Sequence, residues 1–423
     1  MRILWVANQP VPKIAKCANQ EVGMGGGWLN QLSEQLSSQN VLGIIFPNEN
    51  GEYRKYCVDN LEGYSIPSKK SSLRPNGDTV NYIIMAIKDF QPDMVHIWGT
   101  EYVHSYCAVE AAKECGLIAK TVISIQGMVS VYAKHFFAYK SKIELCFPTL
   151  YDLKNRCGLI SQHHAFMERG IYEIKAIENV QHIIGRTDWD EACTSQINPQ
   201  SKYHFCNETL RPSFYNAKWD IKKCERHSIF VSQSQYPIKG FHLMLEAMPL
   251  ILKKWPNCKL YTTGINRSGD SLKEKFRVRD YDLYLRKLVK KLHLEEHVFF
   301  LGPLNEKEMC QRFLKSHVFV SPSSIENSPN SVGEAMLLGM PVVASDVGGV
   351  KNMLTHNLEG YVYQPDASYM IAYYVGKFFE DDSLCAKMGE RAKQHALVTH
   401  DIDHNYNQLM HIYKEICQMD CLY

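Results

Sequence analysis

Short apolar runs alternate along this chain with longer stretches whose apolar residues recur at helical spacing. RILWVAN (2–8) reads as a first buried strand, and the glycine-rich turn GMGGG (23–27) leads from it towards WLNQLSEQL. VLGIIFP (41–47), MVHIWG (94–99), KTVISIQG (120–127), HIIGRT (182–187) and KYHFCNE (202–208) read as further strands. Between them, VNYIIMAIKDF (80–90) has helical spacing and stops at Gln91-Pro92, and a second helix is expected over 102–115. The second half repeats the pattern. SIFVSQS (228–234) precedes KGFHLMLEAMPLILKKW, then CKLYTTG, HVFFLGP, HVFVSPS and PVVASD supply four more strands, with a short one at GYVY (360–363). After about residue 367 the pattern is helical. The last segment, DIDHNYNQLMHIYKEICQ (401–418), lines up Tyr406, Leu409, Met410, Tyr413 and Ile416 on one stripe.

Alternation of strand and helix implies parallel sheets covered on both faces. Two successive sets imply an α/β chain of two doubly wound, Rossmann-like domains facing across a cleft, with ligands at the carboxyl ends of the strands. The polar, unpatterned RPSFYNAKWDIKKCER (211–226) marks the boundary. The expected division is 1–210, 211–395, and a C-terminal helix over 396–423 packing back on the first domain.

Composition narrows the class. The chain has 423 residues, 45% apolar and 22% charged, with a net charge of +2, which is too near neutral to imply nucleic acid. The apolar run after Arg2 ends at Asn8, too short for a signal peptide, and no run is long enough to span a membrane. None of the fourteen cysteines forms a CxxC pair; Cys417 and Cys421 lie closest. Scattered thiols of this kind suit a reducing compartment, hence the cytoplasm.

The stretch IENSPNSVGEAM (325–336) carries two carboxylates, Glu326 and Glu334, with no other charge between them. Ser328 can cap a helix and Pro329 suits its first position, so Glu326 falls on a loop and Glu334 in the helix. The free N–H groups of Asn330, Ser331 and Val332 would then form an anion site at the helix terminus. Carboxylate, anion site and carboxylate in that order match a nucleotide-sugar: one glutamate for the sugar, the amides for the diphosphate, the other glutamate for the ribose diol. Two solvated surface charges are the alternative reading. The following PVVASDVGG ends a strand in a Gly-Gly turn that permits close backbone approach.

The run SPSSIENSPNSVGEAMLLGMPVVASDVGG (321–349) resembles the signature of retaining family 4 glycosyltransferases of the GT-B fold, in which two glutamates separated by seven residues mark the donor site. The resemblance extends more weakly over most of the chain. It implies that Glu334 binds the nucleotide ribose, that Glu326 binds the donor sugar, and that the Asn330 and Ser331 amides meet the diphosphate. It also implies that Lys239, in YPIKGFH, stabilises the leaving diphosphate, where negative charge develops. Gly26 and Gly27 would lie opposite the diphosphate, although GMGGG lacks the GxGxxG spacing. The family's arginine five residues before the lysine is Ser234 here; Arg267, Arg277 and Arg279 could replace it by charge alone. A family histidine corresponds to Gln126, which cannot act as a base but can bind a hydroxyl. His96 lies on another strand and reads as a core residue. Arg186, at the end of HIIGR, is a second acceptor-side candidate. TDWDE (187–191) and DID (401–403) look like metal-binding pairs but read better as helix starts with acids in the first turn.

The resemblance thus implies a retaining glycosyltransferase with a nucleotide diphosphate-sugar donor and a glycan or lipid-linked glycan acceptor, in surface polysaccharide synthesis. It needs no metal or other cofactor and no nucleic acid. The basic-aromatic stretch YAKHFFAYKSK (132–142) suggests peripheral contact with the inner membrane face. A GT-B-like nucleotide-sugar-binding protein without turnover, a phosphorylase and an epimerase are the alternatives.

Overall fold

A computed structural model describes residues 1–20, 28–49, 51–264 and 277–418. The chain forms two compact units, Met1–Ala133 with Ala165–Thr209 and His400–Tyr423, and Lys134–His164 with Leu210–Thr399.

The first unit holds an eight-stranded sheet: β1 (Arg2–Val6), β2 (Val41–Pro47), β3 (Arg54–Val58), β4 (Leu61–Ile66), β5 (Met94–Trp98), β6 (Thr121–Ser124), β7 (His182–Gly185) and β8 (Lys202–Phe205). Their order is β3-β4-β2-β1-β5-β6-β7-β8, parallel throughout except for the antiparallel β3–β4 pair. β1 and β5 are central and almost wholly buried, which is why they read as unbroken apolar runs rather than alternating ones. The β3–β4 hairpin was not anticipated. β3 is a polar edge strand, and its signal was the two-residue turn Asp59-Asn60, with Asp59 at φ +53°.

The terminal helix Ile402–Gln418 belongs to this unit and buries Tyr406, Leu409, Ile412, Tyr413 and Ile416. Ile412 takes the core position expected of Met410, which packs only partly against it. The Tyr413 hydroxyl accepts from Trp5 Nε1 at 3.2 Å and lies 2.6 Å from His96 Nδ1. His96 Nε2 in turn lies 2.7 Å from Ser124 Oγ, so both ring nitrogens have a hydroxyl partner. Burial holds His96 neutral, far below its ordinary pKa, so it is a satisfied core histidine.

The second unit holds a six-stranded, all-parallel sheet of β9 (Glu225–Val231), β10 (Lys259–Thr262), β11 (Val298–Phe300), β12 (Ser316–Ser321), β13 (Val342–Ser345) and β14 (Tyr361–Tyr363), in the order β11-β10-β9-β12-β13-β14. Every residue of β12 and β13 is buried. Both strands therefore deliver their carboxyl ends from a fixed platform.

Lys134–His164 groups with this second unit rather than with the 1–210 domain expected for it. Its short helices Lys142–Leu145 and Leu150–Asn155 each start in a capping box, Ser141 with Glu144 and Thr149 with Asp152. Polar contacts tie the segment down. Asp152 accepts the Asp280 N–H at 2.8 Å, Asp280 accepts the Leu159 N–H at 2.7 Å, and His242 Nε2 lies 3.0 Å from the Ala138 carbonyl oxygen. No sequence period announces these contacts, because they join residues more than a hundred positions apart.

Candidate functional site

The loop after β12 and the helix Asn330–Leu338 carry the two glutamates. Two glycines bring this loop against its neighbours. Gly240, at φ +65°, would place a Cβ 1.7 Å from the Pro322 carbonyl oxygen; Gly348, at φ +49°, would place one 1.8 Å from that of Glu326. Neither position tolerates a side chain, for reasons of space and of backbone conformation. The Gly348-Gly349 turn thus serves a close approach of backbone to backbone, and Gly349 N–H donates to the Glu326 carbonyl at 3.2 Å. Ser324 N–H donates to the Ile238 carbonyl at 2.8 Å, and Ser345 Oγ donates to that of Ser323 at 2.6 Å.

This close packing sets Lys239 Nζ 2.6 Å from Glu326 Oε1. Ser323 Oγ donates to the same oxygen at 2.7 Å, so one side of the carboxylate is fully held. Glu326 Oε2 takes no hydrogen bond among the described residues. Burial pushes the Lys239 pKa down, but Glu326 outweighs it and leaves the ammonium raised to about 12. Lys239 is therefore a fixed cation.

The helix starts one residue later than expected. Pro329 is the N-cap, in extended conformation, with its carbonyl accepting from Val332 N–H at 2.9 Å and Gly333 N–H at 3.3 Å. Proline at this position disfavours helical geometry at Ser328, which does not cap; its hydroxyl turns to Met353 Sδ at 3.4 Å. Val332 is thus partnered rather than free, and the open amides among the described residues are those of Asn330 and Ser331. Two open donors and the helix dipole still favour an anion here.

Glu334 holds the largest departure from expectation. It is 3% exposed and receives both arms of the Arg211 guanidinium, Nε to Oε1 and the terminal nitrogen Nη2 to Oε2, each at 2.6 Å. Burial raises the Glu334 pKa, and Arg211 pulls it back towards the ionised form. The fork occupies one lone pair on each oxygen; the other pair of each remains for hydroxyl donors. Arg211 itself lies 4.9 Å over the Phe214 ring. Its turn is fixed by Ser213, whose N–H and hydroxyl donate to Glu306 at 2.9 and 2.6 Å. Arg211 was missed because RPSFYN has no periodicity. The available signal was an isolated arginine followed by proline and an aromatic in an apparent linker.

Ser234, where the resembling family has arginine, is buried and donates to the Thr263 carbonyl at 2.8 Å, so it faces inward. Gly26, Gly27 and Arg267 lie outside the described residues. Arg279 is the N-cap of the helix Asp280–Lys291 and supplies no side-chain cap.

In the first unit the acceptor-side candidates Gln126 and Arg186 are brought together by a residue the sequence did not single out. Glu208 accepts from the Gln126 amide and pairs with Arg186 Nη1 at 2.5 Å; Arg186 is buried and Glu208 partly buried. Gln126 keeps its amide oxygen as an acceptor. Arg186 and Glu208 line a small pocket of about 30 Å³ with Trp98, Ile125 and Tyr406. Asp190, in TDWDE, accepts the Arg186 and Thr187 N–H groups and the Tyr203 hydroxyl, and Thr187 caps the helix Asp188–Ile197. Its oxygens are therefore committed to the helix start. In the basic-aromatic stretch 132–142, Phe136 and Ala138 are buried and Tyr139 is exposed.

Two Rossmann-like units, the second with a paired lysine and glutamate beside an open helix terminus, have the architecture of the GT-B fold. Residues 214–395, less than half of the chain, match the model of the family described as glycosyl transferases group 1. An uncharacterised glycosyltransferase of Methanocaldococcus jannaschii is 26% identical over 276 residues, 62% of this chain and 67% of the relative. A D-inositol 3-phosphate glycosyltransferase of Corynebacterium urealyticum is 24% identical over 182 residues, 43% of this chain and 41% of the relative. The chain thus spans two thirds of one curated relative and less than half of the other. In fold it is similar to sucrose-phosphate synthase from Thermosynechococcus elongatus (TM-score 0.70, 14% identity, 98% of both chains). It is likewise similar to Anabaena HepE, solved in complex with UDP-glucose (TM-score 0.67, 15% identity, 98% of this chain and 99% of that one).

Proposed function

We propose that the protein transfers a sugar from a nucleotide diphosphate-sugar to a hydroxyl of a glycan or lipid-linked glycan, with retention of anomeric configuration, in surface polysaccharide assembly. The contact between Lys239 and Glu326 carries this reading. A fixed ammonium beside a carboxylate with one open oxygen can hold a leaving diphosphate and a sugar hydroxyl side by side. The Asn330 and Ser331 amides add donors for the diphosphate, and Glu334, held by Arg211, accepts from the ribose diol. The anomeric carbon–oxygen bond breaks and its electron pair goes to the diphosphate oxygen. The acceptor oxygen bonds to the anomeric carbon from the same face and gives its proton to that diphosphate oxygen. Lys239 stabilises the charge that develops, so the residues assigned here need neither a metal nor a side-chain base. Gln126 and Arg186 line the acceptor side. A cytoplasmic location is supported by the thirteen described cysteines, all free thiols. Among the described residues no helix is long and apolar enough to cross a membrane.

Donor turnover tests the proposal. Purified protein, given a panel of nucleotide diphosphate-sugars, should release nucleoside diphosphate in the presence of an acceptor hydroxyl, and proton NMR of the product should show the donor's anomeric configuration. An inverted product would overturn the retaining step. The buried Ser234 and the engaged Gln126 favour, as the second reading, a nucleotide-sugar-binding protein without turnover; measurable hydrolysis or transfer excludes it.

A further inference from the structure

The segment 134–164 reverses the usual amphipathic order. In the helix Leu150–Asn155 the carboxylate of Asp152 is buried, while Leu150 and Leu153 stand 80% and 64% exposed. Ile143 is 86% exposed, Ile160 59% and Phe147 44%. Isolated exposed apolar residues are ordinary, but five large ones within eighteen positions of a single inserted segment are not. Leu145 and Leu159 of the same segment are fully buried, so the segment is anchored and its outward side chains are held out by packing rather than by disorder.

Charge says what covers them. The segment has five lysines and arginines and two acids. One acid, Asp152, is buried; the other, Glu144, is engaged by the Ser141 N–H and hydroxyl at 2.9 and 2.8 Å. Lys142, Lys154 and Arg156 are exposed beside the apolar residues. The helix Asp280–Lys291 packs against Lys142–Leu145 and adds exposed Lys287, Lys290 and Lys291, with the Lys287 ammonium 4.5 Å over the Phe147 ring. A second copy of this chain using the same patch would set like charges against each other. An anionic bilayer offers both an apolar interior for Ile143, Leu150 and Leu153 and a negative surface for the lysines.

We propose that residues 142–160 and the basic face of Asp280–Lys291 dock the protein on an anionic lipid surface. The apolar side chains enter the acyl boundary and the basic ones lie at the headgroups. This does not rest on the glycosyltransferase reading.

Co-sedimentation of the full chain with vesicles tests it. Wild type should pellet with phosphatidylglycerol-containing vesicles and stay largely in the supernatant with pure phosphatidylcholine. The surface variant I143S/L150S/L153S should lower the partition coefficient about tenfold or more with an unchanged melting temperature, and K154E/R156E should lower it at low salt. Wild type that does not pellet, or a triple variant that pellets like wild type, overturns the proposal. So does a triple variant whose only effect is to abolish self-association in sedimentation velocity without vesicles.

Discussion

At the scale of single residues, the centre of the account is the pairing of each signature glutamate with its own cation. The glutamates and Lys239 were legible from sequence, because a motif at fixed spacing needs no tertiary information. The pairings and Arg211 were not: Arg211 lies 123 positions from Glu334, and Lys239 lies 87 from Glu326. Replacing Lys239 by alanine should lower turnover by about two to three orders of magnitude, as losing a charge stabiliser in an active site does, with a smaller loss of nucleotide affinity. Single-turnover kinetics beside calorimetric affinity would separate the two. Arg211→Gln should make nucleotide affinity depend on pH. Burial already raises the Glu334 pKa, and without the guanidinium it rises further, so at a given pH more of the carboxyl is protonated and less of it can accept from the ribose diol proposed to bind there. Glu306 and Cys310, the other titratable groups beside the pair, do not restore a positive charge. Affinity should therefore fall more steeply in the variant than in wild type as pH is lowered, and recover at higher pH. A pH-independent loss would reduce Arg211 to a packing role.

At the scale of elements, what fixes the site is where β9, β12 and β13 end. Gly240 and Gly348 make those ends meet; the close approach at the Gly348-Gly349 turn was legible, whereas Gly240 was visible only as the glycine after Lys239. Gly348→Ala should cost about 1–3 kcal/mol of stability for the left-handed backbone alone, and more because the new Cβ meets a carbonyl oxygen rather than a flexible side chain. Chemical denaturation would show this as a lower midpoint at unchanged slope, with nucleotide affinity lost in parallel because Glu326 is displaced. The buried strands were legible because parallel sheets demand continuous apolar runs. The β3–β4 hairpin and the short helices of 134–164 were not, because one is a polar edge and the others expose leucine and bury aspartate.

At the scale of the whole molecule, stability should depend on acid in a defined way. His242 is fully buried between the Tyr281 hydroxyl and the Ala138 carbonyl oxygen, and burial lowers its pKa to about 4. The unfolded chain binds that proton at about 6.5, so the neutral ring favours the folded state above pH 6.5, on the order of 3 kcal/mol. That contribution is lost as pH falls from about 6.5 through 4. His242→Gln should flatten the stability profile in that window, read from denaturation at a series of pH values; a variant profile parallel to wild type would show that His242 is not the group titrating. The broad architecture was readable from alternation alone, whereas the grouping of 134–164 with the second unit depends on contacts such as this one.

The most direct test of the central claim is titration calorimetry of nucleoside diphosphates and their sugars into wild type and Glu334→Ala. The account predicts that one nucleotide binds wild type and that affinity falls about a hundredfold or more in the variant, with the circular dichroism spectrum retained. Equal affinity in both proteins, or no binding of any nucleotide to wild type, would contradict it.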